Sequence, residues 1–233
     1  MLSDILTTFH SPNYEIYKRN SQFYSQIKIG QFPSKTPKLN FMTNENIIVT
    51  IKQMTGFSDN ELSTILKYFE TKKIKKNTNL LEAGSIAKEV YFILSGCIRL
   101  FYEKNGEDIS AYFFTEKMFA GAYDSFITQK PSKHCIETIE ECHLMAISYK
   151  SLQELFVEFP KMNEFVRKVL EERFVALHEV FTSQILDSPE QRYLNLQKEN
   201  PELLNRIPQH QIATFLGITP TSLSRIRNRI TKK

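Results

Sequence analysis

Gln209 to Asn228 reads QHQIATFLGITPTSLSRIRN, and its spacing predicts two helices joined by a three-residue turn. Gly217 stands where the first helix must stop, because glycine turns there without a Cβ penalty. Counted out from it, Ile212, Leu216, Ile218, Leu223 and Ile226 fall on the faces where two crossed helices touch. Ala213 sits at the closest approach, where a larger side chain would push the helices apart. Thr219 suits an N-cap and Pro220 the first helical position, so the second helix has a marked start. Together these fill the spaced positions of a helix-turn-helix. An ordinary corner between two helices would satisfy the same apolar spacing, so charge has to separate the readings. From Asn205 to Lys233 there are six basic residues (Arg206, Arg225, Arg227, Arg229, Lys232, Lys233) and no Asp or Glu. That distribution is the footprint of an element that faces DNA.

The rest of the chain is charged differently. Its 233 residues carry a formal +4, but Met1 to Phe41 holds +3 and the stretch from Asn205 holds +6, leaving −5 for the body between them. A mildly acidic body with a basic tip confines contact with phosphate to the tip. Three cysteines (Cys97, Cys135, Cys142) without a Cys-x-x-Cys spacing argue against a disulfide framework, and a reducing cytoplasm is the simplest compartment for them. No run approaches the ~18 apolar residues of a membrane span, and the N-terminus lacks a signal-peptide core.

Read in order, the chain opens on Met1 to Phe41, with three prolines, scattered aromatics and no sustained period. It is expected to be a loosely held extension, or the product of an upstream start with Met42 as the working initiator. Regular signals begin at Asn44. Ser58-Asp59-Asn60-Glu61 is a capping box, with Leu62, Ile65, Leu66 and Phe69 as the apolar face behind it. Lys72, Lys73, Lys75 and Lys76 flank Ile74, which suits a strand with solvated lysines better than a nucleic-acid patch.

From Leu80 the period shifts toward two. Val90 to Leu94 is a strand ended by Ser95-Gly96. Ile98, Leu100 and Tyr102 then alternate with Arg99, Phe101 and Glu103, and Asn105-Gly106 is the best hairpin turn in the chain. Ile109 to Phe114, Cys135 to Ile139 and His143 to Ile147 continue the pattern. Short strands with frequent turns mean an antiparallel barrel or sandwich and not a βαβ fold.

Helix returns at Ser151, and a long one is expected from Lys161 to Leu186. Leu170, Phe174, Leu177 and Phe181 are spaced four, three and four apart, which is a coiled-coil seam suited to the same helix of a second subunit. Val166, Val169, Arg173, Ala176 and Val180 form a second stripe that suits the β-domain. Asp187-Ser188-Pro189 interrupts the helix. The domains therefore read as an extension (1–41), a β-rich domain (42–160), a dimerisation helix (161–186) and a helix-turn-helix domain (187–233).

Leu81-Glu82-Ala83-Gly84, Val90 to Gly96, Phe119-Ala120-Gly121, Ile147 to Lys150 and Phe159-Pro160 look like the cyclic-nucleotide-binding β-roll of catabolite activator protein-like regulators. With the long helix and the helix-turn-helix, the chain from Thr43 onward resembles the Crp–Fnr superfamily of transcription regulators. The resemblance implies an α+β fold, with an antiparallel jelly-roll-like β-roll, a long dimerisation helix and a C-terminal helix-turn-helix. It also implies double-stranded DNA, a second copy, RNA polymerase and a small-molecule effector as partners, and reorientation of the DNA-binding domains by a signal in the roll.

The effector residues depart from the family pattern. Members that bind cyclic AMP place a Glu after the Phe-x-Gly turn and an Arg-Ser or Arg-Thr pair on the phosphate. Here Ala122 follows Gly121, Ser132-Lys133 stand where the pair would be, and Leu177 and His178 replace hydroxyl residues on the long helix. Lys133 offers charge without the bidentate fork of a guanidinium. An effector other than cyclic AMP is expected, from a degenerate pocket of Gly121, Ala122, Ser132, Lys133, Leu177 and His178.

Three cysteines do not make the four-thiolate set of an iron–sulfur sensor. A soft metal site from His134-Cys135 and Cys142-His143 is disfavoured because neighbours on a strand point oppositely, so neither metal nor cofactor is expected. No phosphate loop, zinc-ligand helix or nucleophile elbow supports an enzyme. In the helix-turn-helix, Thr221 and Arg225 share the exposed early face of the second helix and are the candidates for base contact. Thr219, Ser222, Arg227 and Arg229 are the candidates for phosphate. The chain ends at Lys233, which leaves little room for a wing. The competing reading is a ligand-binding or protein-interaction module whose basic tail is not a specific DNA reader.

Overall fold

The structure is a computed structural model that describes Lys52 and residues 56–231. The readings made for Met1 to Phe41 and for a helical run from Asn44 lie outside the described residues. The capping box sets the first element. The Ser58 hydroxyl accepts from the Glu61 amide at 3.3 Å, while the Glu61 carboxylate accepts from the Ser58 amide at 2.8 Å. Behind it, helix α1 (Asp59–Ile65) buries Leu62 and Ile65. Strand β1 (Glu70–Ile74) follows, with Lys72 paired to Glu89 at 2.7 Å and Lys73 to Glu141 at 2.9 Å. Lys72 and Lys73 are therefore strand residues with carboxylate-paired heads, while Lys75 and Lys76 stand exposed just beyond the strand.

Seven more strands complete two antiparallel sheets: β2 (Asn79–Leu81), β3 (Glu89–Ser95), β4 (Ile98–Lys104), β5 (Glu107–Phe114), β6 (Phe119–Ala120), β7 (Cys135–Thr138) and β8 (Cys142–Ser148). One sheet has the order β1-β8-β3-β6 and the other β2-β7-β4-β5. The most apolar runs, β3 and β8, pair with each other in the interior of their sheet, Tyr91 opposite Ala146 and Phe92 opposite Met145. Asn105 and Gly106, at φ +54° and +79°, close the β4–β5 hairpin in the mirror-image turn whose twist matches the strands. Between Gly121 and β7 a short helix α2 (Tyr123–Thr128) packs Phe126 fully into the core. No helical signal marks that segment in the sequence.

The core lies between the sheets, where Ile93, Ile98, Ile136 and Leu144 are each at most 1% exposed. Helix α3 (Tyr149–Glu158) closes it with Leu152 and Leu155, its start capped by Ser148, which accepts from the Ser151 amide at 3.1 Å. Helix α4 (Lys161–Leu186) adds Met162 and Phe165, with Val166 and Val169 packed beside them. Strand β4 departs from simple alternation. Ile98, Arg99 and Phe101 are all buried while Tyr102 is 42% exposed. The register of β4 on β5 shifts between Leu100 and Phe101, and the C-terminal domain packs on β5, so both faces of the early strand are covered.

After α4 come α5 (Pro189–Glu199), α6 (Leu203–Arg206), α7 (Gln209–Phe215) and α8 (Pro220–Thr231). Ser188 caps α5 by accepting from the Gln191 amide at 3.2 Å, and Pro189 takes the first helical position. These helices share a second core of Tyr193, Ile207, Ile212, Ala213, Leu216, Leu223 and Ile226. Cys97, Phe113 and Ile139 of the roll belong to the same cluster. Among the described residues no helix is long and apolar enough to cross a membrane.

Candidate functional site

The helix-turn-helix is α7, a turn and α8. Gly217 lies at φ +66°. The Ile218 amide donates to the Ala213 carbonyl at 2.9 Å and the Gly217 amide to that of Thr214 at 3.0 Å, a Schellman closure that satisfies the last carbonyls of α7. Ala213 is 0% exposed at the helix crossing. Thr219 starts α8 by accepting from the Ser222 amide at 3.2 Å. With Leu223 and Ile226 buried beneath, Thr221, Ser224, Arg225, Arg227 and Asn228 stand exposed on the outside of α8.

The DNA candidates divide by how occupied they already are. Thr221 and Arg225 are exposed one turn apart, and Arg225 and Arg227 make no ion pair among the described residues. The hydroxyls of Thr219 and Ser222 face each other at 3.0 Å, both used by the cap. Arg229 pairs with Glu190 of α5 at 2.9 Å.

On α4, Phe174 is 73% exposed, Leu177 47% and Phe181 63%, with Leu170 half-buried in the same row. Ile185, also exposed, extends that apolar face toward the end of the helix. The second stripe turns inward, where the Arg173 guanidinium lies over the rings of Tyr112 and Phe114 at 4.7 and 5.0 Å.

The six residues of the expected effector pocket are not all gathered. Gly121 and Ala122 line a cavity of about 10 Å³ with Leu80, Leu81, Tyr91 and Ile136, room for about one water. The Ser132 hydroxyl is used internally, donating to the His134 carbonyl at 2.8 Å and accepting from the His134 amide at 3.1 Å. Lys133 points outward without an ion pair among the described residues. Leu177 and His178 are exposed, and the His178 ring stacks on Phe174 with centroids 6.4 Å apart.

Two residues have surroundings here that the sequence reading does not anticipate. Arg173 was placed on its stripe but given no role. Its Nη2 donates to the Phe119 carbonyl at 3.2 Å, and its Nη1 is buried without a hydrogen-bond partner. His134 is 6% exposed, edge-on to Tyr102, and its Nε2 has no hydrogen-bond partner, the Asp124 carboxylate standing 3.8 Å away. Burial holds the imidazole below its ordinary pKa against the weaker pull of Asp124. A histidine beside a degenerate phosphate loop was the available signal, and it was read only as half of a metal pair.

Chemically reactive thiols are not part of this arrangement. Burial pushes Cys97 and Cys142 up to about 12, and Cys135 is raised by the same cause. Cys135 lies on β7 and Cys142 on β8, in different sheets, and no group of three metal-ligating side chains occurs among the described residues.

Comparison with known proteins agrees with this geometry. Residues 71–159 match the cyclic nucleotide-binding domain family. The CRP-like protein Clp of Xanthomonas campestris pv. campestris (strain B100) is 24% identical over 114 residues, 47% of this chain and 50% of that protein. The Clp of Xanthomonas oryzae pv. oryzae (strain PXO99A) matches to the same extent, so the match spans about half the length of these curated relatives. Among solved structures, the c-di-GMP responsive global regulator CLP of Xanthomonas campestris superposes with a TM-score of 0.62 at 18% identity, covering 75% of this chain and 92% of that one. A CooA mutant from Carboxydothermus hydrogenoformans gives 0.61 at 15% identity, covering 85% and 87%. A crp/fnr family regulator from Eubacterium rectale gives 0.61 at 15%, covering 76% and 84%. Residues 71–159 are thus similar to a cyclic nucleotide-binding domain, and the chain has the fold of these solved structures.

Proposed function

We propose that the chain is a dimeric, sequence-specific DNA-binding transcription regulator whose sensor roll answers to something other than cyclic AMP. The observation that carries this is the helix-turn-helix. Its turn is closed on Gly217, its core is filled, and Arg225 stands exposed and unpaired on the outer face of α8. In such a unit the second helix enters the major groove and the first crosses the backbone. Thr221 and Arg225 meet base edges, with Arg225 able to grip a guanine O6 and N7. Arg227 meets phosphate, and so do Thr219, Ser222 and Arg229 once DNA competes for the groups they now engage.

The exposed row Leu170, Phe174, Leu177 and Phe181 supplies the dimer seam, since an apolar stripe this continuous on a long helix calls for a partner of the same period. Residues 42–160 then act as the sensor, 161–186 as the dimerisation helix and 187–233 as the reader, with 1–41 as an extension. RNA polymerase is the proposed further partner, and no catalytic step is assigned. One relative of this fold is described as responsive to c-di-GMP, so the fold serves ligands besides cyclic AMP in that protein.

Selection from a random-sequence duplex library with purified protein tests the reading. It should enrich a pseudo-palindrome with half-sites about 34 Å apart. Binding that stays uniform across the library, however tight at low salt, would assign the basic tip to electrostatics alone.

A further inference from the structure

The helix-turn-helix is fastened to its own roll over a broad contact. Arg206 of α6 reaches Glu116 at 2.8 and 2.9 Å and also bonds Glu140, at 3.1 Å from Nε. Glu116 is in turn held by the Gly96 amide at 2.9 Å. All three charged side chains are two-thirds or more buried, at 24%, 27% and 33% exposure. Beside them the Thr214 hydroxyl accepts from the Ser110 amide at 3.2 Å, Gln211 donates to Glu137 at 3.4 Å, and the Phe215 ring stands edge-on to Phe113 at 5.3 Å. Behind Glu137 sits Arg99, its side chain 3% exposed, with Nε 2.8 Å from that carboxylate and Nη2 2.9 Å from Asp108. The same domain is tied to the end of α4. Gln184 donates to the Phe215 carbonyl at 2.9 Å, and Arg192 donates to the carbonyls of Leu216 at 2.8 Å and Asp187 at 2.7 Å.

We infer that this docking sets the helix-turn-helix in its DNA-binding attitude, so that operator binding does not wait for an occupied sensor cavity. Three observations converge. Docking uses α6, α7 and the turn, while Thr221, Arg225 and Arg227 on α8 stay exposed, so the contact orients the reader without masking it. Each buried charge of the contact is hydrogen-bonded, Arg206 to both carboxylates and Glu116 to a backbone amide in addition, which helps a buried ionic group to be tolerated. In the same conformation the cavity at Gly121 holds only about 10 Å³, far below the ~300 Å³ of a small-molecule site, so the docked attitude coexists with a cavity too small for an effector. A reader held in place has already met the ordering cost that a swinging domain meets on binding, and it binds correspondingly tighter.

The inference rests on the DNA-reading proposal, and the experiment separates the two. Full-length wild type, Arg206→Ala, Arg206→Lys and a double variant Ser110→Cys with Thr214→Cys are compared on the operator that wild type selects. The two hydroxyls are 3.1 Å apart, so the new cysteines can be oxidised across the contact, and the native thiols are buried and protonated. Arg206→Ala should weaken operator binding about tenfold, Arg206→Lys should recover part of the loss, and the oxidised double variant should keep wild-type affinity. Cross-linking should also be slower when Arg206→Ala is added, a readout that needs no DNA. Tighter binding by Arg206→Ala, or loss of binding on oxidation, would make the docked state a restrained one and overturn the inference. Unchanged affinity in Arg206→Ala together with unchanged cross-linking overturns it as well. If wild type selects no operator, the DNA-reading proposal falls, and the cross-linking rates still report whether Arg206 holds the domain.

Discussion

Arg173 of α4 donates to the carbonyl of Phe119 on β6, and its second terminal nitrogen, Nη1, is buried with nothing to bond. No carboxylate pairs with it among the described residues, so the charge is stabilised by one carbonyl and the faces of Tyr112 and Phe114. A half-buried guanidinium in that position gives little net stability. The cation–π contacts contribute about 0.5–2 kcal/mol and the charged hydrogen bond about 1.5–3 kcal/mol, against a desolvation cost of several kcal/mol.

Arg173→Met keeps the stem over the two rings and removes both the charge and its orphaned donor. Its unfolding free energy should lie within about 1 kcal/mol of wild type. Arg173→Ala also loses the packing and should be destabilised by about 2 kcal/mol. Urea titrations of the three proteins decide it. A loss of several kcal/mol in Arg173→Met would show that the guanidinium itself anchors α4 to the roll.

The dimer seam makes a second prediction. Phe174→Glu combined with Leu177→Glu places like charges along a row that otherwise offers exposed apolar surface, at a cost of several kcal/mol to a twofold contact. Sedimentation should give a dimer for wild type and a monomer for the variant, with each protomer still folded, because Val166 and Val169 are on the other stripe. A variant that stays dimeric would move the seam elsewhere.

Cyclic AMP should not bind. At 100 times its dissociation constant a ligand adds about 2.7 kcal/mol to stability, a shift that a thermal melt readily detects. Ala122 offers no acceptor to a ribose hydroxyl, Ser132 is already bonded to His134, and Lys133 faces away. A melt unchanged at millimolar cyclic AMP is the expected result, and a clear rise would mean that the cavity opens and Lys133 turns inward.

Acid should weaken the fold in two stages. His134 is held neutral by burial, so the unfolded chain takes up a proton more readily, and stability falls once pH drops below the ordinary histidine value of 6.5. Glu116 acts lower. Burial alone would raise its pKa, but hydrogen bonds from Arg206 and the Gly96 amide hold it down, so its contribution is complete above 4.5 and is lost as pH falls through the depressed value. His134→Gln should remove the first stage and leave the second. Denaturation midpoints at about pH 7.5, 5.5 and 4 would separate them, and a wild type equally stable at the first two would remove His134 from the account.

Much of this was readable because the chemistry is local. Gly217, Ala213 and Thr219 specify a turn, a crossing and a cap within a few residues, and Asn105-Gly106 specifies a hairpin in two. What could not be read depends on contacts far apart in the chain. Arg99 stands on a strand that alternates like an open one, yet it is buried because the β5 side of its sheet receives α7, more than a hundred residues later. Arg206 counted in the sequence as part of a basic tip, whereas the fold spends it on Glu116 and Glu140. The effector residues were identified as a set from the resemblance, but Ala122 lies in the cavity and Lys133 on the surface, because exposure depends on the loop as folded.

The sharpest test of function compares three arginines of one helix. Arg225 is exposed, unpaired and one turn after Thr221, so it should carry most of the base discrimination. Arg225→Ala should cost about 1–3 kcal/mol per half-site and relax the preference at one base-pair position. Arg227→Ala should weaken specific and random duplexes alike and make the salt dependence shallower by about one unit of slope, as loss of a phosphate contact does. Arg229 pairs with Glu190 at 2.9 Å, so part of its charge is already answered within the domain. Its alanine variant should therefore lose less than Arg227→Ala, and Glu190→Gln should strengthen binding to every sequence by freeing it. Titrations of each protein on the selected operator and on a scrambled duplex, at two salt concentrations, give all four comparisons. If Arg225→Ala and Arg227→Ala lose affinity equally on both duplexes, α8 does not read bases, and the basic end of the chain serves only to attract polyanions.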